Sequence, residues 1–354
     1  MAAQQPQEPA ASGQPDAGMH IYSMKDYYKK QFALDVENFR AGGRLKSGYR
    51  NLDSITNLYP GFYVVGAISS LGKTTFVHQM CDQIAEAGND VLFISLEQSA
   101  LELASKSIAR NMAKEDAENG LTSLQVRRSS LPDPRIQAAI DKCMACPGRI
   151  TIAECRFQAN IYDIAAQVGA YIHVHKTKPV VVIDYLQVIQ AAPGSHMTAR
   201  DLVDFHVRKL KKLQSDYQLT MIVVSSVNRQ NYMTAIDFES FKESGGIEYT
   251  ADVLWGLQLQ CIHEEIFTKQ NKTNEKRQRI IQAKRENPRK IELVCLKNRF
   301  GVSSYTCRFN YYPNYDLFES DLSGINLENL QEDSTDTDTD GWAAIPEGLE
   351  LPFQ

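Results

Sequence analysis

Residues 62–76, FYVVGAISSLGKTTF, place a short apolar run, a turn and a Gly-Lys-Thr triplet in immediate succession. That order constrains the chain more than any other feature. A buried strand has to end where a tight turn of backbone N–H groups opens a helix, and such a junction cradles phosphate. The second half of the pattern G-x-x-x-x-G-K-[ST] is intact at Gly72, Lys73 and Thr74, while the first position is Ala67. Alanine serves there if its φ is negative, and Gly66 before it is expected to add slack. The expected nucleotide-binding residues are Ala67, Ile68, Ser69, Ser70, Leu71, Gly72, Lys73, Thr74 and Thr75. Lys73 is expected to reach the β- and γ-phosphates of ATP, and Thr74 to hold Mg²⁺.

The alternation continues downstream. A helix is expected from Lys73 to Gly88, with Val77, Met80 and Ile84 on one face. VLFISL (91–96), VVVID (180–184) and TMIVVSS (220–226) read as buried strands. Between them, helices are expected over 100–112 and around Val203, Val207, Leu210, Leu213 and Tyr217. Apolar strands alternating with amphipathic helices predict an α/β fold with a mostly parallel sheet covered on both faces. After Asp252, VLWGLQL, IELVCLK and SSYTCRFNYY read as strands without helices between them, an antiparallel extension of the sheet.

A phosphate cradle needs a metal-holding carboxylate at the end of a buried strand, and Asp184 follows four β-branched residues. A turn aspartate is the plain alternative; the upstream Gly-Lys-Thr favours the metal role. Hydrolysis needs a group that deprotonates water, and Glu97 ends VLFISLE on the crevice side of a parallel sheet. An acid in the first turn of the next helix explains Glu97 equally well.

Charge is unevenly spread. Residues 321–354 carry nine acids and no Lys or Arg, which leaves a mildly basic body of 38 basic and 34 acidic residues. That balance fits a nucleic-acid-binding protein as well as an enzyme with a solubilising tail. The run 269–290 has nine basic and two acidic residues and is expected to bind nucleic acid or to form a solvated hairpin or disordered insertion. Residues 1–20 and the acidic tail 321–354 are expected to be disordered. Residues 21–44 predict an amphipathic linker helix with Tyr28, Phe32, Val36 and Phe39 on one face, docked on a neighbour or folded back. Cys143 and Cys146 form a lone CxxC; without a second pair at regular spacing, free thiols are expected rather than zinc. No apolar run reaches the ~20 residues of a membrane span, and a cytoplasmic location with no membrane partner is expected.

Three motifs then fall in a familiar order. AISSLGKTTF, FISLEQSALEL and VVVIDYLQVI resemble the C-terminal ATPase domain of DnaB-type replicative helicases, and SSVNRQ, KESGGIEYTADVLWGLQL and CLKNRFGVSSYTCRFNYYPNYDLFE extend the resemblance over residues 45–320. That family commonly has alanine at the first position of the loop. The resemblance implies a RecA-like P-loop ATPase core using ATP and Mg²⁺, a homo-oligomeric ring of six, and single-stranded DNA in its channel. It implies that Glu97 is the catalytic base and that Asp184 joins Thr74 at the metal. Lys297 and Arg299, in LKNRFG, match the pair that reaches into the neighbouring subunit's site, with Arg299 as arginine finger. Lys242, Glu243, Ser244 and Gly245 match the DNA-contacting loop, and Arg200 a second channel loop. Ser226, Asn228 and Arg229 occupy the sensor segment, where Ser226 replaces the family's usual Gln.

About 45 residues precede the core, and a form lacking the family's N-terminal helical domain, as in a phage or mobile-element protein, is expected. A primase or a helicase loader is an expected partner. The competing expectation is an ATP switch that assembles on DNA or on a replication partner without unwinding.

Overall fold

The computed structural model describes residues 23–41, 44–155, 158–194, 196–228, 232–241, 245–269 and 272–323. The expected disordered segment 1–20 and nearly all of the acidic tail lie outside these residues.

The chain opens with α1 (Met24–Lys30), α2 (Phe32–Ala41) and a single turn, α3 (Arg50–Asp53). β1 (Gly61–Ala67) leads into α4 (Lys73–Glu86), and β2 (Val91–Ser95) into α5 (Ala100–Glu115). The short α6 (Ser123–Arg128) and α7 (Pro134–Met144) precede β3 (Ile150–Glu154), α8 (Ile161–His175) and β4 (Val180–Asp184). α9 (Ala199–Tyr217), β5 (Thr220–Ser226), α10 (Gly245–Thr250) and β6 (Val253–Leu259) follow. The C-terminal part holds α11 (Glu265–Thr268), α12 (Thr273–Arg285), β7 (Arg289–Asn298), β8 (Thr306–Tyr312) and β9 (Leu317–Ser320).

The nine strands form one sheet in the order β3-β2-β4-β5-β1-β6-β7-β8-β9. Each of the seven β1 residues is buried, and their side chains alternate between two cores. Tyr63, Val65 and Ala67 join Phe76, Met80 and Trp255 on one face. Phe62 and Val64 join Ile164, Val207 and Leu210 on the other. Apolar matter on both faces of a parallel strand explains why FYVVGA reads as a continuous run. The inward sets expected of α4 and α9 lie where the period put them, in these two cores.

Four expectations need correction. β6 pairs with β1 in parallel (Tyr63 beside Val253, Ala67 beside Leu257), so the antiparallel extension begins one strand later, at β7. The stretch between β6 and β7 is not free of helices, and the basic run is mostly α12. Residues 23–41 are two helices broken at Gln31 rather than one. Their Met24, Tyr28, Phe32 and Leu34 are exposed, so this face does not fold back onto the core; the Phe39 side chain lies outside the described residues. Finally, Gly66 supplies no slack. It sits inside β1, and a Cβ there would stand 2.2 Å from the Phe241 ring. Gly66→Ala is expected to cost about 1–3 kcal/mol of folding stability through overpacking. A denaturant melt checks this, and an unchanged midpoint would contradict the close packing.

Cys143 and Cys146 are free thiols, and Cys143 Sγ accepts from Asn111 Nδ2 at 3.1 Å. No helix among the described residues is long and apolar enough to cross a membrane.

Candidate nucleotide site

The carboxyl ends of β1, β2, β4 and β5 open onto one cleft of about 680 Å³. Ligands of open α/β sheets bind at this end of the strands. Ser69, Ser70, Gly72, Lys73, Thr74, Thr75, Glu97, Asp184 and Ser226 all line it.

The loop between β1 and α4 turns through two left-handed residues, Ser70 (φ 66°) and Gly72 (φ 86°). Glycine takes this conformation freely, whereas a serine there costs roughly 1–2 kcal/mol. Gly72 is also the N-cap of α4 and offers no side chain, so the first N–H groups of that helix are not capped by one. A helix start of this kind attracts anions through its unsatisfied donors and its dipole. Ala67 and Leu71 are buried, and Ile68 packs against the core. These three hold the loop's shape from beneath. Ala67 does not need a positive φ, which is why a residue with a methyl group stands where glycine is usual.

Lys73 Nζ donates to the Ala67 carbonyl at 3.1 Å and so lies folded over the turn. Burial lowers its pKa, opposed by the negative charges of Asp184 and Glu97. Asp184 is 1 % exposed, and neither carboxylate oxygen has a hydrogen-bond partner. Burial pushes its carboxyl up to about 6; the approaching Thr74 hydroxyl lowers it, Glu97 raises it, and Lys106 and Lys73 lower it. A buried carboxylate with two unpartnered oxygens beside a threonine hydroxyl fits a hard divalent cation with oxygen ligands. Mg²⁺ therefore suits Thr74 and Asp184. Glu97 lies beyond the end of β2 and three residues before α5 begins at Ala100, so it does not belong to a first helical turn. Its side chain is exposed to the cleft. Thr75 also lines the cleft, but its hydroxyl donates to Asp316 at 3.0 Å.

Several cleft residues carry no local signal in the sequence. Lys106 of α5 donates to Thr75 Oγ1 at 3.3 Å and pairs with Asp316 at 3.7 Å. Tyr232 shares a 3.3 Å hydrogen bond with Ser69. Gln187 donates from Nε2 to Ser225 Oγ at 2.9 Å and accepts from the Ser226 N–H at 3.1 Å. The motif DYLQ could have pointed to Gln187; nothing local marks the other two.

Other expected residues lie elsewhere. Asn298 pairs with Val253, which lies beside Tyr63. Asn298 is thus about 13 Å along the strands from Ala67, at ~3.3 Å per strand residue, and the flanking Lys297 and Arg299 lie toward the opposite end of the sheet from the loop. Lys297 Nζ donates to the Glu248 and Tyr249 carbonyls at 2.8 and 3.3 Å, and Arg299 pairs with Asp252 at 3.1 Å. Arg200 is exposed in the first turn of α9. Four residues on, Asp204 accepts from the Gly246 N–H at 2.9 Å, which sets Arg200 near the start of α10 at Gly245. Lys242, Glu243, Ser244 and Arg229 lie outside the described residues, while the Asn228 N–H donates to the Ser240 carbonyl at 2.9 Å.

Comparison with known proteins places this chain in a family. The model of the DnaB-like helicase C-terminal domain matches residues 44–320. A replicative DNA helicase DnaB of Helicobacter pylori is 24% identical over 349 residues, covering 89% of this chain and 68% of the relative. The replicative DNA helicase DnaB of Geobacillus stearothermophilus is 24% identical over 291 residues, covering 80% of this chain and 57% of the relative. The chain spans 48% to 68% of the lengths of such curated relatives. Among solved structures, a DnaB-like replicative helicase, whose structure was described with its interactions with primase, superposes with a TM-score of 0.63 at 17% identity and covers 84% of this chain and 71% of its own. A separately solved ATPase domain superposes with a TM-score of 0.64 at 19% identity, covering 83% of this chain and 98% of that domain. The likeness shows that the sheet has the fold of these helicase ATPase domains. With a match running from before β1 to the end of β9, the chain belongs to the DnaB-like helicase C-terminal domain family.

Proposed function

We propose that this chain is an ATP-driven motor on single-stranded DNA that works as a ring of six, with each nucleotide held between two copies. One observation carries the reading. The loop and the Lys297–Arg299 pair occupy opposite ends of one sheet, so the pair cannot reach its own chain's triphosphate. A head-to-tail contact brings the far end of one copy to the cleft of the next, and repetition of such a contact closes a ring.

Within each cleft, Lys73 and the N–H groups of the loop and α4 bind the phosphates, and Glu97 takes the proton of the attacking water. Thr74 and Asp184 would hold Mg²⁺, which would supply positive charge against the phosphates. Arg299 of a neighbouring copy adds positive charge to the transferring phosphoryl group. Arg200 and the start of α10 mark the DNA face, with the Asp204–Gly246 hydrogen bond joining their two elements. The exposed apolar side of α1 and α2 is a docking face for the adjacent copy. Primase or a loader would engage the assembled ring.

The switch reading rests on Ser226. Gln187 stands beside it in the cleft: its carboxamide donates to Ser225 Oγ and accepts from the Ser226 N–H. A forked duplex with a labelled strand separates the two readings. The motor releases that strand in an ATP-dependent manner. ATPase stimulated by single-stranded DNA without strand release would contradict unwinding and favour the switch.

A further inference from the structure

The basic run 269–290 is engaged inside the chain. Seven of its nine cations have partners there: Lys269 with Glu265, Lys272 with Glu275, Lys276 with the Phe267 carbonyl, Arg279 with Glu264 and Glu286, Lys290 with Asn310, and Lys284 and Arg289 with the phosphate loop. Such a stretch is poorly placed to offer its charge to nucleic acid.

The last two contacts are the informative ones. Lys284, in the final turn of α12, donates to the Ser69 carbonyl at 2.8 Å. Arg289, at the start of β7, donates from Nη1 to the Ser70 carbonyl at 2.8 Å. Its Nη2 donates to the Lys284 carbonyl, which ties the two cations together. Beneath them, Ile280 and Ala283 anchor α12 to the core, and the Arg289 guanidinium lies 5.4 Å from the Tyr311 ring centroid. That same ring supports Gly72, where a Cβ would stand 3.0 Å from it. The two cations are thus braced from the core and reach the loop from its outer side.

In a trans peptide the C=O of one residue and the N–H of the next point in opposite directions. Drawing the Ser69 and Ser70 carbonyls outward therefore turns the N–H groups of Ser70 and Leu71 the other way. We propose that Lys284 and Arg289 are positioning residues of the nucleotide site: by gripping these carbonyls they hold the loop, with left-handed Ser70, in the shape that aims its amides at the triphosphate. This rests on the loop being an ATP site. Neither residue touches the reacting atoms; they act through the loop, and α12 is the strut that carries them.

The test uses the full chain with Lys284→Ala and Arg289→Ala, the charge-keeping Lys284→Arg and Arg289→Lys, and Lys73→Ala. Five quantities are read: the Kd for a fluorescent ATP analogue, KM and kcat for ATP, the melting temperature, and the Kd for a labelled single-stranded oligonucleotide at several salt concentrations. Each alanine variant is expected to raise the analogue Kd and KM about tenfold, as for loss of a charge-assisted hydrogen bond, with a much smaller fall in kcat. The charge-keeping variants recover most of that loss, and oligonucleotide affinity stays at the wild-type value. Unchanged analogue binding with weaker, less salt-dependent oligonucleotide binding would overturn the proposal and assign α12 to nucleic acid. A lower melting temperature with unchanged analogue Kd would overturn it in favour of a purely structural strut. Wild-type protein that binds no analogue, or a Lys73→Ala variant that binds it normally, would instead overturn the ATP reading of the loop.

Discussion

Arg299→Ala is expected to lower ATP turnover by about 10³-fold or more while nucleotide binding stays near wild type. The scale is that of removing an arginine finger, which supplies on the order of 10³–10⁵ in rate. Binding survives because the groups that hold the phosphates, Lys73 and the loop, belong to another part of the sheet. The fold tolerates the change because Asp252 keeps two other partners, Lys211 at 2.5 Å and the Phe62 N–H at 2.8 Å. Steady-state ATPase assays with an analogue titration check this. Normal turnover by Arg299→Ala would reduce Arg299 to a surface ion pair with Asp252.

Asp184→Asn is expected to have two large effects of opposite sign. Turnover falls on the order of 10³-fold, because the neutral amide cannot take the carboxylate's place beside a divalent cation. Stability of the nucleotide-free protein rises at alkaline pH. Burial holds the Asp184 carboxyl at about 6, above its ordinary 3.8. A carboxyl raised in the folded state contributes stability that is fully present below pH ~4 and is lost as pH rises through about 6. The two-unit difference corresponds to about 3 kcal/mol. Without metal, the wild-type protein should therefore lose this stability between about pH 4 and pH 7, and Asp184→Asn should not. Melts across that range, with and without Mg²⁺, check the sign. Identical pH profiles for the two proteins would contradict the buried-carboxylate account.

The convergence of Lys73, Thr74, Glu97 and Asp184 on one cleft was legible because its signals are local. Lys73 and Thr74 follow a strand–turn–helix junction, and Asp184 and Glu97 each stand at the end of an apolar strand, so the fold class alone brings them to one edge. Residues recruited from helix faces and distant loops were not legible. Lys106 lies on α5 among ordinary helical polar residues, and Tyr232 reaches Ser69 from 163 positions away. The parallel direction of β6 is not a property of VLWGLQL; it follows from the crossover through α9, β5 and α10 that returns the chain to β1. α12 is hidden in the sequence because TNEKRQRIIQAKR is strongly polar and packs on the core through little more than Ile280 and Ala283. The left-handed Ser70 gives no sign either, since serine rarely takes that conformation without outside support.

The central claim is that each triphosphate lies at a seam supplied by two copies, and mixing two inactive variants tests it most directly. Lys73→Ala lacks a working loop but keeps Arg299; Arg299→Ala keeps the loop. Random assembly of equal amounts leaves about a quarter of the seams with both parts intact. ATP turnover should therefore reappear on mixing, in proportion to such seams. Two variants that are each inactive and stay inactive together, although mass measurement shows them in one assembly, would contradict the shared site.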